Sequence, residues 1–142
     1  MNIAVVFDGT IVEHKYPAIG RERPFAIETL KKLQKDRHKL ILWSVREGRL
    51  LEEAVAFCRE RGLEFYAINR DYPEEEKEQN NHFSRKLKVD LFIDDRNLGG
   101  IPDWGTIYEM ITHQLSYEDL MNKYESESEL ERPKGFWSRL FK

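Results

Sequence analysis

The feature that most constrains this chain is a repeated way of ending a strand. Ile3-Ala4-Val5-Val6-Phe7 is an apolar, partly β-branched run that stops at Asp8-Gly9-Thr10, and Leu91-Phe92-Ile93 stops in the same manner at Asp94-Asp95. Open α/β sheets bind ligands in the crevice beyond the carboxyl ends of their strands, so a buried strand that delivers a carboxylate there marks a site. Adjacent like charges are costly without a cation or donors. Two strands ending on acid therefore point to one cation site, with Arg96 as the alternative source of neutralisation.

The segments between these strands alternate in period. After Thr10, residues 11–23 carry Pro17, Gly20 and mixed charge, and read as an irregular excursion or short hairpin without a core of its own. Pro24 is expected to open a helix to about Lys35, with Phe25, Ile27, Leu30 and Leu33 at helical spacing and Pro in the first turn, where its missing N–H costs little. Lys39-Leu40-Ile41-Leu42-Trp43 is a second strand, apolar enough to be buried on both faces, and ends at Ser44. A second helix runs from Leu50 to about Arg61, with Gly62 as its left-handed cap.

Glu64 to Ile68 reads as a third strand, and residues 69–82 as a polar, acidic surface loop with a short helical turn. Leu91 to Ile93 is the fourth strand, Leu98 to Trp104 a loop, and Ile107, Met110 and Ile111 mark a third helix. Ser116-Tyr117-Glu118-Asp119 has the hydroxyl-then-acid spacing of a helix start. Strands alternating with helices imply right-handed crossovers, and hence an α/β, three-layer Rossmann-like domain with a central parallel sheet.

Length and charge narrow the function classes. The 142 residues suit one domain with a tail, divided here into 1–122 for the α/β domain, 123–134 for a polar linker and 135–142 for a short tail. Twenty-three Lys and Arg against 26 Asp and Glu give a formal net charge of −3, which speaks against a dedicated nucleic-acid surface. No run approaches the roughly 20 apolar residues of a membrane span, and the N-terminus enters a core strand directly, so a cytoplasmic body is expected. Cys58, the only cysteine, lies in Ala54-Val55-Ala56-Phe57-Cys58 and is expected in the core. The four histidines, His14, His38, His82 and His113, show no ligand spacing.

Four features fall at or near strand ends: Asp8 with Gly9-Thr10, Ser44, the basic pair Lys86 and Lys88, and Asp94-Asp95. In that order, over residues 1 to about 113, the chain resembles the haloacid dehalogenase superfamily of phosphohydrolases. In that family the first strand ends in DxDGT, the second in Ser or Thr, a Lys precedes the last strand, and the last strand ends in paired acids. The first acid of the motif is the nucleophile, and this chain has Val6 there. The resemblance assigns Asp8 as proton donor and acceptor, and Ser44 and Lys86 to the phosphate, with Gly9, Thr10 and Val45 beside them. Mg²⁺ would be held by Asp94, Asp95 and the backbone carbonyl of Asp8. Lys86 is preferred to Lys88, which sits closer to the strand entry.

Each residue also has a plainer reading. Val5 to Val12 alone fits a hairpin with an Asp-Gly turn, which leaves the hydroxyl and the paired acids at the other strand ends unaccounted for. Ser44 alone fits a helix cap, and Lys86 and Lys88 alone fit solvated surface. Trp43, Arg46, Tyr72, His82 and Arg96 are expected around the opening, as a phospho-ligand groove or as ordinary rim packing.

Valine has no lone pair for attack and no oxygen for a metal, yet it suits a strand. The expectation is a fold that survives where turnover does not. Two functions follow: a Mg²⁺-dependent phosphohydrolase impaired at Val6, or a non-catalytic module that binds a phosphorylated ligand, a protein or a membrane. No insertion is long enough for a cap domain, and by resemblance capless members take large substrates or close the site with an oligomer neighbour. In the tail, Phe136, Trp137, Leu140 and Phe141 share one helical side against Arg139 and Lys142, a pattern suited to peripheral membrane or protein contact.

Overall fold

A computed structural model describes residues 1–75 and 86–131, with side chains as far as Ser128. His82 and the amphipathic segment 135–142 lie outside the described residues. The elements are β1 (Asn2–Val6), α1 (Ala26–Lys35), β2 (Lys39–Trp43), α2 (Gly48–Glu60), β3 (Ala67–Ile68), β4 (Leu91–Ile93), α3 (Trp104–Thr112) and α4 (Tyr117–Glu131). The strands form one parallel sheet in the order β3-β2-β1-β4. This is an α/β architecture of the three-layer Rossmann-like class, and no cap domain is present among the described residues. No helix among them is long and apolar enough to cross a membrane.

Register sorts the side chains onto two faces. Ile3 pairs with Leu40 and Leu91, and Val5 with Leu42 and Ile93, so these residues share one face. From β1 through α1, β2 and α2 to β3 the chain steps in one direction, and right-handed crossovers place both helices on one side. Phe57 of α2 meets Phe7 edge to face, with ring centroids 5.9 Å apart. The other face carries Ala4, Ile41 and Ala67, closed by Leu87 with Trp43, Tyr66, Val89 and Phe92 at its margin. β1 is flanked on both sides, which explains why Ile3, Ala4 and Val5 are buried.

Several boundaries differ from expectation for local reasons. Pro24 and Phe25 precede α1; Phe25 is 69% exposed with a left-handed backbone, φ 65°. The Glu22 carboxylate accepts the Ile27 N–H at 3.0 Å, doing from outside the helix what a cap side chain does. β3 shrinks to Ala67–Ile68 because it pairs only with β2, although Tyr66 already donates to the Leu40 carbonyl at 2.8 Å. Gly62 has φ 84° and donates to the Arg59 carbonyl at 2.9 Å, the expected left-handed helix end.

In the acidic loop after β3, Glu75 is buried instead of solvated, and its carboxylate accepts the Asp71 N–H at 2.7 Å. The chain divides into two compact units, Met1–Gly105 and a second that begins at Thr106. In the second, Ser116 and Asp119 exchange side-chain-to-backbone bonds of 3.0 and 2.9 Å at the start of α4. The backbone and hydroxyl of Ser116 thereby hold the Asp119 carboxyl below its ordinary range. α4 continues through Glu131, across the stretch expected as a linker from 123. Polarity there argued against burial, but Glu is a good helix former and needs no core to be helical.

Cys58 is fully buried in α2, and burial pushes its thiol up to about 12. The thiolate is the reactive form, so a disulfide-exchange reagent at neutral pH is expected to label Cys58 only after denaturation. Prompt stoichiometric labelling of the native protein would contradict this packing.

Candidate functional site

The carboxyl ends of β1, β2 and β4 open onto a pocket of about 520 Å³. Val6 and Asp8 line it from the end of β1, Trp43, Ser44 and Val45 from β2, and Asp94 and Arg96 from the turn after β4. His14 and Tyr16 reach it from the excursion after β1. Sequence reasoning therefore brought Val6, Asp8, Ser44, Val45 and Asp94 to one place, and passed over His14 and Tyr16. The excursion, expected to lack a core, buries Ile11 and Val12 and closes as a short hairpin through backbone bonds from Glu13 to Arg21 and from Arg23 to Ile11.

The dominant interaction is an ion pair beneath the pocket. Asp8 Oδ2 accepts from Arg46 Nε, and Asp8 Oδ1 from Arg46 Nη2, both at 2.7 Å. Arg46 was expected on the rim and is fully buried. Its remaining N–H groups donate to the carbonyls of Pro17 at 3.1 Å, Ala18 at 2.9 Å and Leu50 at 3.5 Å. All five guanidinium donors are thereby used. The hydrogen bonds it donates to Asp8 raise the Arg46 guanidinium above its ordinary value, so it stays charged despite burial. Tyr16 covers it, with the guanidinium carbon 5.2 Å from the ring centroid, and Phe7 lies 5.3 Å away.

The paired acids of β4 separate in role. Asp94 reaches the pocket, and its carboxylate accepts the Arg96 N–H at 2.9 Å. Asp95, expected beside it on a cation, turns back to the first strand: Thr10 Oγ1 donates to Asp95 Oδ1 at 2.9 Å and accepts the Asp95 N–H at 3.1 Å. Gly9, with φ 88°, makes room for this contact, because a Cβ there would stand 2.5 Å from Asp95 Oδ2. Thr10 and Gly9 thus join β1 to β4, and neither lines the pocket. The Thr10 carbonyl accepts from Trp104 Nε1 at 3.3 Å.

Ser44 combines its two readings. Its Oγ accepts the Arg46 N–H at 3.0 Å, and its own N–H donates to Asn69 Oδ1 at 2.8 Å. The hydroxyl proton remains for a ligand on the pocket side. Asn69, at the end of β3 with a left-handed φ of 54°, is a positioning residue that sequence reasoning missed. Its signal was an Asn directly after a strand, a residue that tolerates such a backbone. Lys86 is not among the pocket-lining residues; its ammonium lies 4.7 Å above the Phe92 ring. Lys88 donates its N–H to Asp71 at 2.6 Å. The Arg96 guanidinium is exposed and forms no ion pair among the described residues.

For Mg²⁺, a hard cation that prefers oxygen and keeps several waters, the pocket offers the Asp94 carboxylate. The Asp8 side chain is engaged by Arg46, which leaves its backbone carbonyl as the expected further ligand, and Asp95 turns its Oδ1 to Thr10. Among the described residues, no three His, Cys, Asp or Glu side chains form a group that could hold a metal ion.

Fold and site together define a Rossmann-like α/β protein with a pocket at the carboxyl edge of its sheet. No family model and no curated protein matches the chain. Among solved structures it is similar to the conserved protein coded by a locus of Bacteroides thetaiotaomicron, at 68% identity over 84% of this chain and 96% of that one, with a TM-score of 0.78. The chain belongs to the same family as that Bacteroides protein.

Removing one partner of a buried ion pair leaves the other charge uncompensated. Arg46→Met is expected to destabilise the protein by about 3–5 kcal/mol in urea denaturation, and Asp8→Leu/Arg46→Met to cost clearly less than the two single changes summed. Additive costs would show that the pair is not the unit of stability.

Proposed function

We propose that this pocket binds a small phosphorylated ligand and that the chain is a phosphohydrolase of the haloacid dehalogenase type whose turnover is impaired or lost. The observation that carries the reading is the state of β1's last acid. Val6 has no attacking oxygen, and both oxygens of Asp8 accept hydrogen bonds from Arg46 at 2.7 Å. Proton transfer requires a group within reach and free to exchange its proton. Asp8 would have to leave its partner first.

Binding asks less of the same residues. Ser44 offers a hydroxyl from the β2 side and Arg96 a guanidinium from the β4 side, and a guanidinium matches phosphate geometry with paired donors. Asp94 would repel a phosphate unless a cation lay between them. Mg²⁺ held at Asp94 would supply that neutralisation when bound. Lys86 has no place in this reading.

Calorimetric titration with inorganic phosphate in the presence of Mg²⁺ is expected to give saturable binding that Ser44→Ala and Arg96→Ala each weaken by roughly tenfold, the worth of a charge-assisted hydrogen bond. With an aryl phosphate and Mg²⁺, the unaltered chain is expected to turn over at the buffer rate. Val6→Asp is expected to gain slow, measurable hydrolysis. Turnover by the unaltered chain near the roughly 1–1,000 per second of ordinary enzymes would overturn the reading.

A further inference from the structure

Beyond phosphate, the pocket has a second kind of wall. Trp43 is the register partner of Val6, and its half-buried ring packs on one side against the Ile41 and Ala67 cluster while also lining the pocket. Tyr16 lines it as well, is 47% exposed, and is held from below by the buried guanidinium 5.2 Å from its centroid. Val45, 81% exposed, extends the apolar surface on the β2 side. An apolar side chain at position 6 continues it onto the pocket floor.

Charge is distributed differently. Asp8 is neutralised by Arg46, so the charges left facing the pocket, Asp94 and Arg96, both lie on the β4 side. The charged side chains thus lie toward β4, while on the β2 side the Ser44 hydroxyl sits beside Trp43 and Val45, with Tyr16 entering from the excursion after β1. A phosphate on an aliphatic carrier would leave the aromatic side wet.

On these grounds we infer that the ligand is a free phosphomonoester carrying a planar aromatic ring, of the nucleoside monophosphate class, with its ring against Tyr16 and Trp43. The inference rests on the phospho-ligand reading above. Tyr16 is suited to the role because Arg46 fixes it before any ligand arrives, so little side-chain freedom is lost on binding. Stacking of a base on an aromatic side chain is tolerant of base identity, so adenosine and uridine monophosphates should both bind.

The test is calorimetric titration of the full chain, with Mg²⁺, against adenosine monophosphate, uridine monophosphate, glycerol phosphate and inorganic phosphate. Both nucleotides are expected to bind roughly tenfold or more tightly than glycerol phosphate, the effect of one stacked ring. Tyr16→Leu and Trp43→Leu are each expected to erase that preference, weakening the nucleotides more than inorganic phosphate measured on the same variant. Thermal unfolding shows which variants fold, and either one suffices.

Equal affinity for nucleotides and glycerol phosphate would overturn the inference and leave the phospho-ligand reading standing. So would a nucleotide preference that survives in every folded variant. Failure of all four compounds to bind would overturn both.

Discussion

The buried pair between Arg46 and Asp8 is the interaction on which the rest of the site depends. A guanidinium withdrawn from water is tolerated only when its charge is matched and its donors are all used. Here both conditions hold, and meeting them draws in the ends of β1 and β2, the Pro17-Ala18 carbonyls of the excursion, and Leu50 at the start of α2. The excursion buries Ile11 and Val12 and closes on itself through Glu13 to Arg21 and Arg23 to Ile11 backbone bonds, and the Arg46 bonds tie its Pro17-Ala18 turn to the strand ends. Tyr16, in the same turn, packs over the guanidinium at the pocket wall.

The same pair sets what the pocket can do. An acid at the end of a central strand can serve the ligand or the fold, and Asp8 is committed to the fold at both oxygens. Val6, beside it, contributes an apolar surface where an oxygen would be needed for attack. Asp95, after β4, accepts the Thr10 hydroxyl at Oδ1 and ties the two acid-ended strands together. Of the three carboxylates at the sheet edge, Asp94 alone is left facing a ligand without such a side-chain partner.

What could be read from the sequence, and what could not, follows from the range of the interactions. The strands and the Gly62 helix end were legible because burial and turn chemistry act locally, through alternation, apolar runs and a left-handed residue. Positions at strand ends were legible too, since a parallel sheet brings all its carboxyl ends to one edge. The partner of Asp8 was not. Arg46 is 38 residues away, and nothing in its neighbours distinguishes a rim arginine from a buried one, because its burial depends on carbonyls supplied by a distant loop. The division of Asp94 from Asp95 was hidden for the same reason: adjacent residues after a strand diverge, and only the position of Thr10 decides which one turns inward. The haloacid dehalogenase resemblance assigned Asp8 to proton transfer and the paired acids to a cation; partners within the protein for the Asp8 side chain and for Asp95 are not part of that pattern.

Selectivity follows from that division. A pocket whose acids all faced a cation would recognise little besides charge, since several ionic contacts would dominate any other. With Asp8 neutralised and Asp95 bound to Thr10, the remaining field comes from Asp94 and Arg96, on the β4 side. Under the proposed phospho-ligand reading, so one-sided a field would leave shape and stacking to discriminate among ligands. The β2 side, built from Trp43, Val45 and the braced ring of Tyr16, is where that discrimination would act. The arginine that holds both oxygens of Asp8 thus also braces Tyr16 on the surface that would choose the ligand.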